Sequence, residues 1–211
     1  KIITFYIDYL IDFLFSKNLL GISTVSKSCL KQLNKIYFLK KIKKIFIPNG
    51  IKEIKFSNLN NKSKNKLNIL MISVFEKRKG FDFIFDCLEK LSKENVNFLF
   101  HLYGDFSSND ILNINKMLNV RNLKKFVLIK NYEVDKKKIF KNKHILVLPS
   151  RYEAFGLVLI EAMMFKVPVI STKTGGPNEI INNGKNGYLV NYGDVQEMWK
   201  KIKTLLILFT I

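Results

Sequence analysis

The 211-residue sequence is short of several things at once. It holds two cysteines, Cys29 and Cys87, far apart along the chain. Two thiols build neither a disulfide framework nor a zinc-type ligand set, and they suit a reducing compartment. Only three of its 36 basic residues are arginine: Arg78, Arg121 and Arg151. Proteins that read phosphates or base edges lean on the bidentate arginine fork, so this scarcity argues against a nucleic-acid partner. Four prolines and ten glycines exclude collagen-like and low-complexity classes. No apolar run reaches the roughly 18 residues that mark a spanning helix.

What is present is an ordinary globular composition, 47% hydrophobic and 25% charged. The length allows one large domain, or one domain and a piece of another. A chain of this size buries roughly 70% of its unfolded surface and needs no staples. The net charge of +19 is the unusual number. It fits an anionic ligand, a membrane surface or nucleic acid. Lysine comes with abundant Asn, Ile and Phe, however, which reads as the drift of an A+T-rich genome. Near the start, residues 2–15 are apolar but contain Asp8 and Asp12. That argues against a signal peptide and leaves a buried helix or an interfacial one.

From residue 45 onward, short apolar runs alternate with helical patterns. The expected strands are Ile45–Ile47, Leu67–Ser73, Val96–Tyr103, Phe126–Ile129, Ile145–Leu148, Val167–Ser171 and Tyr188–Val190. Expected helices lie near 80–93, 108–119, 134–142, 156–166, 177–182 and 194–206. Near-continuous apolar strands alternating with helices predict an α/β fold: a doubly wound, Rossmann-like parallel sheet covered on both faces. Polar residues 51–66 follow the turn signal Pro48-Asn49-Gly50 and read as a linker. They separate a remnant of a first domain (1–50) from a second domain (67–211). In such sheets ligands sit in the loops at the strands' carboxyl ends.

The loop after Ile145–Leu148 carries Glu153, then Phe155-Gly156-Leu157-Val158 at an expected helix start, with Glu161 inside the helix. The first amides of a helix lack intrahelical partners and, with the dipole, suit a diphosphate. An ionised carboxylate only accepts hydrogen bonds, and its two oxygens match a ribose cis-diol. Helix-borne Glu161 suits that job, and Glu153 a sugar hydroxyl. A glutamate in that apolar helix needs a partner. In the next loop Gly175-Gly176 permits close backbone approach and Pro177 opens a helix.

The segments "PSRYEAFGLVLIEAM", "PVISTKTGGPNEII" and "NGYLVNYGD" closely resemble the retaining family-4 glycosyltransferases. "IPNGI" resembles that family's inter-domain junction, and "LNILMISVFEKRKGFDFIFDCLEKL" its first donor-domain strand, phosphate loop and helix. The resemblance implies a two-domain glycosyltransferase whose active site lies between the domains, with this chain holding a nearly complete donor-binding domain. Only the last strand–helix–strand of the acceptor domain is expected, around Gly21–Leu33 and Ile45–Ile47. It implies that Lys79 contacts the donor diphosphate and that Glu153 faces the donor sugar, the two catalytic candidates. Phe155, Gly156, Leu157 and Val158 would hold sugar and phosphate, and Glu161 the ribose. Asn131 and Tyr132 fall in the base-binding loop, and Gly104-Asp105 in the family's second glycine-containing loop. The family's Gly-Arg after the first strand is here Ser73-Val74, with Lys77 or Arg78 as the substitute cation.

The expected donor is a nucleotide-diphospho-sugar, with UDP favoured, and no cofactor or metal. The expected acceptor is a glycan or a lipid-linked acceptor, of the kind used for cell-surface polysaccharide. The expected setting is cytoplasmic, with the inner membrane face as an anionic partner surface. An incomplete nucleotide-sugar-binding fragment or split-enzyme subunit is the alternative. His101 and His144 read as structural histidines, and Lys136-Lys137-Lys138 as a solvated helix face or a lipid contact.

Overall fold

The structure is a computed structural model in which residues 19–52 and 66–210 are described. The apolar segment 2–15 and most of the linker lie outside the described residues. Contacts divide the chain into two compact units, with the boundary after Gly50.

In the first unit, strand β1 (Ile22–Thr24) pairs in parallel with β2 (Lys44–Phe46). Helix α1 (Lys27–Leu33) connects them, and its N-cap Ser26 accepts the Cys29 amide at 3.1 Å. This is a strand–helix–strand segment at the expected place, with the second strand one residue earlier than expected.

The second unit is a six-stranded sheet in which every pair is parallel. Its strands are β3 (Leu67–Ile72), β4 (Phe98–Gly104), β5 (Val127–Asn131), β6 (Ile145–Leu148), β7 (Val169–Thr172) and β8 (Tyr188–Val190). Helices α2 (Phe81–Lys93), α3 (Ser108–Val120), α4 (Lys136–Phe140), α5 (Leu157–Met164), α6 (Pro177–Ile180) and α7 (Val195–Thr210) alternate with them. The expected α/β doubly wound sheet is therefore present.

Period-two alternation sorts the strands between two cores. Leu67, Ile69, Met71, Phe98, Phe100, Leu102, Ile145 and Val147 join one cluster with residues of α2, α3 and α7. Leu70, Tyr103, Leu146 and Leu148 join the other, with residues of α4 and α5. Helix α2 buries Phe81, Ile84, Phe85, Leu88 and Leu91, the i, i+3, i+4 stripe of a helix lying on a sheet. A capping box opens α3: Ser107 Oγ accepts the Asp110 amide at 3.1 Å, and the Asp110 carboxylate accepts the Ser107 amide at 3.0 Å.

Three strands start later than expected, β4 and β7 by two residues and β5 by one, and each follows a helix end of one kind. Asn95, Asn122 and Lys166 take positive φ, and the amides of Val96, Leu123 and Val167 turn back to the carbonyls of Leu91, Leu118 and Ala162. Each is a left-handed stop of the kind glycine usually provides. It consumes Val96 and Val167 before β4 and β7 begin. Asp135 caps α4 through the Lys137 amide at 2.9 Å, and Asn142 at positive φ follows its end, so this helix is shorter than expected.

Both histidines have structural partners. His144 Nδ1 accepts the Asn68 amide at 2.9 Å, and His101 Nε2 lies 3.1 Å from Asn68 Oδ1. Burial, reinforced by Lys143, Lys130 and Lys66, pushes His101 from the usual histidine range to about 3. An unfolded histidine protonates near pH 6.5, whereas this one stays neutral down to about 3. Between those values the unfolded chain binds a proton that the native chain does not, so stability falls as pH drops through that window. His101→Gln is therefore expected to lose less stability than the native sequence between pH 7 and 4, measured as urea midpoints. Parallel pH profiles for the two proteins would rule this out.

Candidate active site at the carboxyl edge of the sheet

The strand order is β5-β4-β3-β6-β7-β8. The chain builds outward from β3 to β5, crosses back, and builds the other way from β6. At such a reversal the loops after the two central strands diverge to opposite faces and leave a crevice at their carboxyl ends. Here those loops are residues 73–80 and 149–156.

The two loops touch through backbone. The Arg151 amide donates to the Arg78 carbonyl at 2.7 Å. Gly80 has φ 71°, and a Cβ there would lie 2.1 Å from the Pro149 carbonyl oxygen. The loop after β7 joins them: the Gly176 amide donates to the Glu153 carbonyl at 3.0 Å. A Cβ on Gly176 would lie 2.2 Å from Phe155 backbone. Beneath, the Thr172 hydroxyl donates to the Ser150 carbonyl.

This stitching positions the side chains. Lys79 ends a 3-10 turn (Lys77–Lys79) and Glu153 sits in the facing loop. Lys79 Nζ lies 2.8 Å from Glu153 Oε2, with the two side chains 14% and 15% exposed. Gly156, at φ 94°, turns the chain into α5. Leu157 and Val158 are the first helical residues, and Phe155 is half-buried just before them. Glu161, one turn on, faces α4: Lys136 Nζ lies 3.3 Å from its Oε2. The same ammonium lies 5.5 Å from the centre of the Tyr132 ring. Glu153, Lys79, Glu161 and Tyr132 thus share one edge of the sheet.

Other residues are placed differently. Ser73 is buried, and its hydroxyl donates to the Val74 carbonyl at 2.9 Å. Val74 stands exposed at the position where the resemblance leads one to expect arginine. The Arg78 guanidinium is held by Glu76 of its own loop at 2.5 Å, with both side chains 46% exposed. Gly104 is structural support, since a Cβ would meet the Ser73 carbonyl oxygen at 2.1 Å. Asp105 and Asn131 are exposed at the ends of β4 and β5.

Sequence reasoning missed Lys136. The lysine run is not one solvated face: Lys137 and Lys138 are exposed, Lys138 lying 3.7 Å from Glu133, whereas the Lys136 side chain is 24% exposed and paired with Glu161. Asp135 was the available signal, because a helix cap there puts Lys136 at a helix start on the carboxyl edge. Among the described residues, no three His, Cys, Asp or Glu gather as a metal site. None of the described helices is long and apolar enough to cross a membrane.

Residues 51–208 match the family described as "Glycosyl transferases group 1". The chain belongs to that family. A probable sucrose-phosphate synthase of Thermosipho melanesiensis is 34% identical over 167 residues, 75% of this chain and 37% of that protein. The poly(ribitol-phosphate) alpha-N-acetylglucosaminyltransferase of Staphylococcus aureus is 34% identical over 129 residues, 61% of this chain and 26% of that protein. A solved structure of an S. aureus TarM mutant in complex with Fondaparinux, alpha-GlcNAc-glycerol and UDP superposes with a TM-score of 0.77 at 27% identity. It covers 92% of this chain and 39% of that one. The chain thus spans well under half the length of these relatives.

The close approach at Gly80 makes a quantitative expectation. Gly80→Ala adds a clash with Pro149 to the strain of positive φ, and should cost roughly 2–3 kcal/mol in urea unfolding. Gly184→Ala shares the positive φ (81°) but has nothing within 4 Å, so it should cost about 1 kcal/mol. Equal losses would show that the loop contact contributes nothing.

Proposed function

We propose that this domain binds a nucleotide-diphospho-sugar and supplies the donor half of a retaining glycosyl transfer to a glycan or lipid-linked acceptor. The observation that carries the reading is the sheltered Lys79–Glu153 pair beside the N-terminus of α5, at the point where the strand order reverses. A lysine and a carboxylate are there held at the mouth of a set of helix amides that favours anions.

On this reading the donor diphosphate takes over Lys79 from Glu153. Lys79 and the amides at Leu157 and Val158 stabilise the charge that grows on the departing phosphate. Glu153, released from the lysine, accepts a hydrogen bond from a hydroxyl of the donor sugar. Phe155 and Gly156 shape the sugar's floor, and Glu161 accepts the ribose hydroxyls. The bond from the anomeric carbon to phosphate breaks, and its electron pair leaves with the nucleoside diphosphate. The acceptor oxygen bonds to the same face of the sugar, and its proton passes to the leaving phosphate. No metal or cofactor is assigned a role. Lys79, sheltered at the junction of the two loops, is assigned as the principal cation for the diphosphate. The UDP in the TarM structure supports UDP as the favoured nucleotide. The relative named as a poly(ribitol-phosphate) alpha-N-acetylglucosaminyltransferase supports a polymer acceptor of the cell-surface kind.

Calorimetry of the 211-residue chain with UDP, GDP and ADP tests binding directly. At least one is expected to bind, UDP tightest. Lys79→Ala and Glu161→Ala should each weaken it roughly tenfold, the size of one charge-assisted hydrogen bond. Failure of all three nucleotides at millimolar concentration would overturn the reading.

A further inference from the structure

We infer that the amino edge of the six-stranded sheet, opposite the candidate active site, docks on a bilayer that carries anionic headgroups. The inference does not depend on the donor reading.

The two edges of the sheet differ in charge. In an all-parallel sheet every helix-to-strand connection lies at the amino edge. Each of the six strands is preceded there by lysine: β3 by Lys66, β4 by Lys93, β5 by Lys124 and Lys125, β6 by Lys141, β7 by Lys166 and β8 by Lys185. Among the described residues, Glu94 is the one acidic residue in those connections, and Lys203 of α7 pairs with it at 2.9 Å. At the other edge acids follow the strands: Glu76 after β3, Asp105 after β4, Glu133 after β5, Glu153 after β6 and Asp194 after β8. Helix dipoles favour cations at helix ends, which suits Lys93. They do not call for Lys66, Lys124, Lys125 or Lys185, which lie in the connections. Lys124, Lys125, Lys141, Lys166 and Lys185 are exposed, and among the described residues none of them has a carboxylate partner.

Six strands about 4.8 Å apart spread these lysines over roughly 24 Å. A row of that length suits a flat anionic surface, where each lysine strengthens binding about fivefold. An apolar residue stands among them. Val120, the last residue of α3, is 82% exposed and is followed by Arg121, Lys124 and Lys125. A valine beside lysines fits the boundary between headgroups and acyl chains. A nucleic acid is the poorer match. Arg121 is the one arginine in these connections, and Asp86 already holds it at 2.7 Å, whereas readers of phosphates and bases lean on a free arginine fork. Strand β3 is six residues long, which separates the two edges by about 20 Å. A bilayer at the amino edge therefore leaves the loops of Lys79 and Glu153 clear of the headgroups.

Flotation of the full chain with phosphatidylcholine vesicles, with and without about 30% phosphatidylglycerol, tests the docking. The chain should bind the anionic vesicles and not the neutral ones. The triple variant Lys124→Gln, Lys125→Gln, Lys185→Gln should bind them roughly a hundredfold more weakly, the product of three such lysines. The triple variant Lys137→Gln, Lys138→Gln, Lys173→Gln removes the same charge at the carboxyl edge and should lose less than about threefold. Val120→Ser should weaken vesicle binding and leave binding to heparin, a soluble polyanion, unchanged. Equal losses in the two triple variants would overturn the inference and leave a plain net-charge effect. No binding to anionic vesicles, or binding that the amino-edge triple variant keeps in full, would overturn it also. Val120→Ser without effect on vesicle binding would assign the edge to a soluble polyanion and sink the bilayer. Nucleotide affinity should be unchanged by the amino-edge triple variant, so the donor reading stands or falls separately.

Discussion

The contact on which the rest of the site depends is the one between Gly80 and Pro149. The two residues follow adjacent strands, β3 and β6, and their backbones come so close that no side chain fits between them. A parallel sheet gives its loops no hairpin to bind them together, so each loop must be held by its neighbours. Here the holding is done by backbone: Arg151 to Arg78, Gly176 to Glu153, and the bare faces of Gly80 and Gly176. Once the loops are stitched, the side chains they carry have little freedom. Lys79 meets Glu153 because their loops already touch.

Electrostatics follow from that arrangement. Two glutamates stand at the carboxyl edge, both with side chains less than a fifth exposed. Sheltering a carboxylate is costly unless a cation accompanies it. Each glutamate has its own lysine, and the two lysines follow different strands: Lys79 after β3, and Lys136 at the start of α4 after β5. A lysine is a point charge on a flexible stem, and it exchanges partners more readily than the planar arginine fork. On the proposed donor reading, the resting ion pairs give way to a diphosphate and a ribose, and that choice suits the exchange. The +19 charge has local uses at these two residues, whatever the origin of the remainder.

Much of this was legible in the chain because its patterns are local. The apolar runs at Leu67 and Ile145 and the amphipathic stripe of α2 announced strands and a helix close to where they lie. The errors cluster where a residue takes an unusual backbone state without the usual residue type. Asn95, Asn122 and Lys166 end helices at positive φ, and only glycine would have signalled that strongly. Glu153 and Lys79 are 74 residues apart, and no spacing rule joins them; the family resemblance did. Ser73 and Arg78 were nominated from the resemblance by their places in the phosphate loop, and a place in a loop does not say which way a side chain turns. One is buried on its neighbour's carbonyl and the other is taken by Glu76.

The sequence by itself determined the alternation of strands and helices, the family, and which loops stand at the carboxyl edge of the sheet. Those follow from periodicity, turn residues and motif order, all of which are read along one dimension. The partners were decided only in three dimensions. That Lys136 belongs with Glu161 and not with the exposed lysines beside it depends on the crossover that carries the chain from β5 back to β6. That reversal brings the start of α4 against α5, and a one-dimensional pattern carries no record of which helix start comes to face which carboxylate.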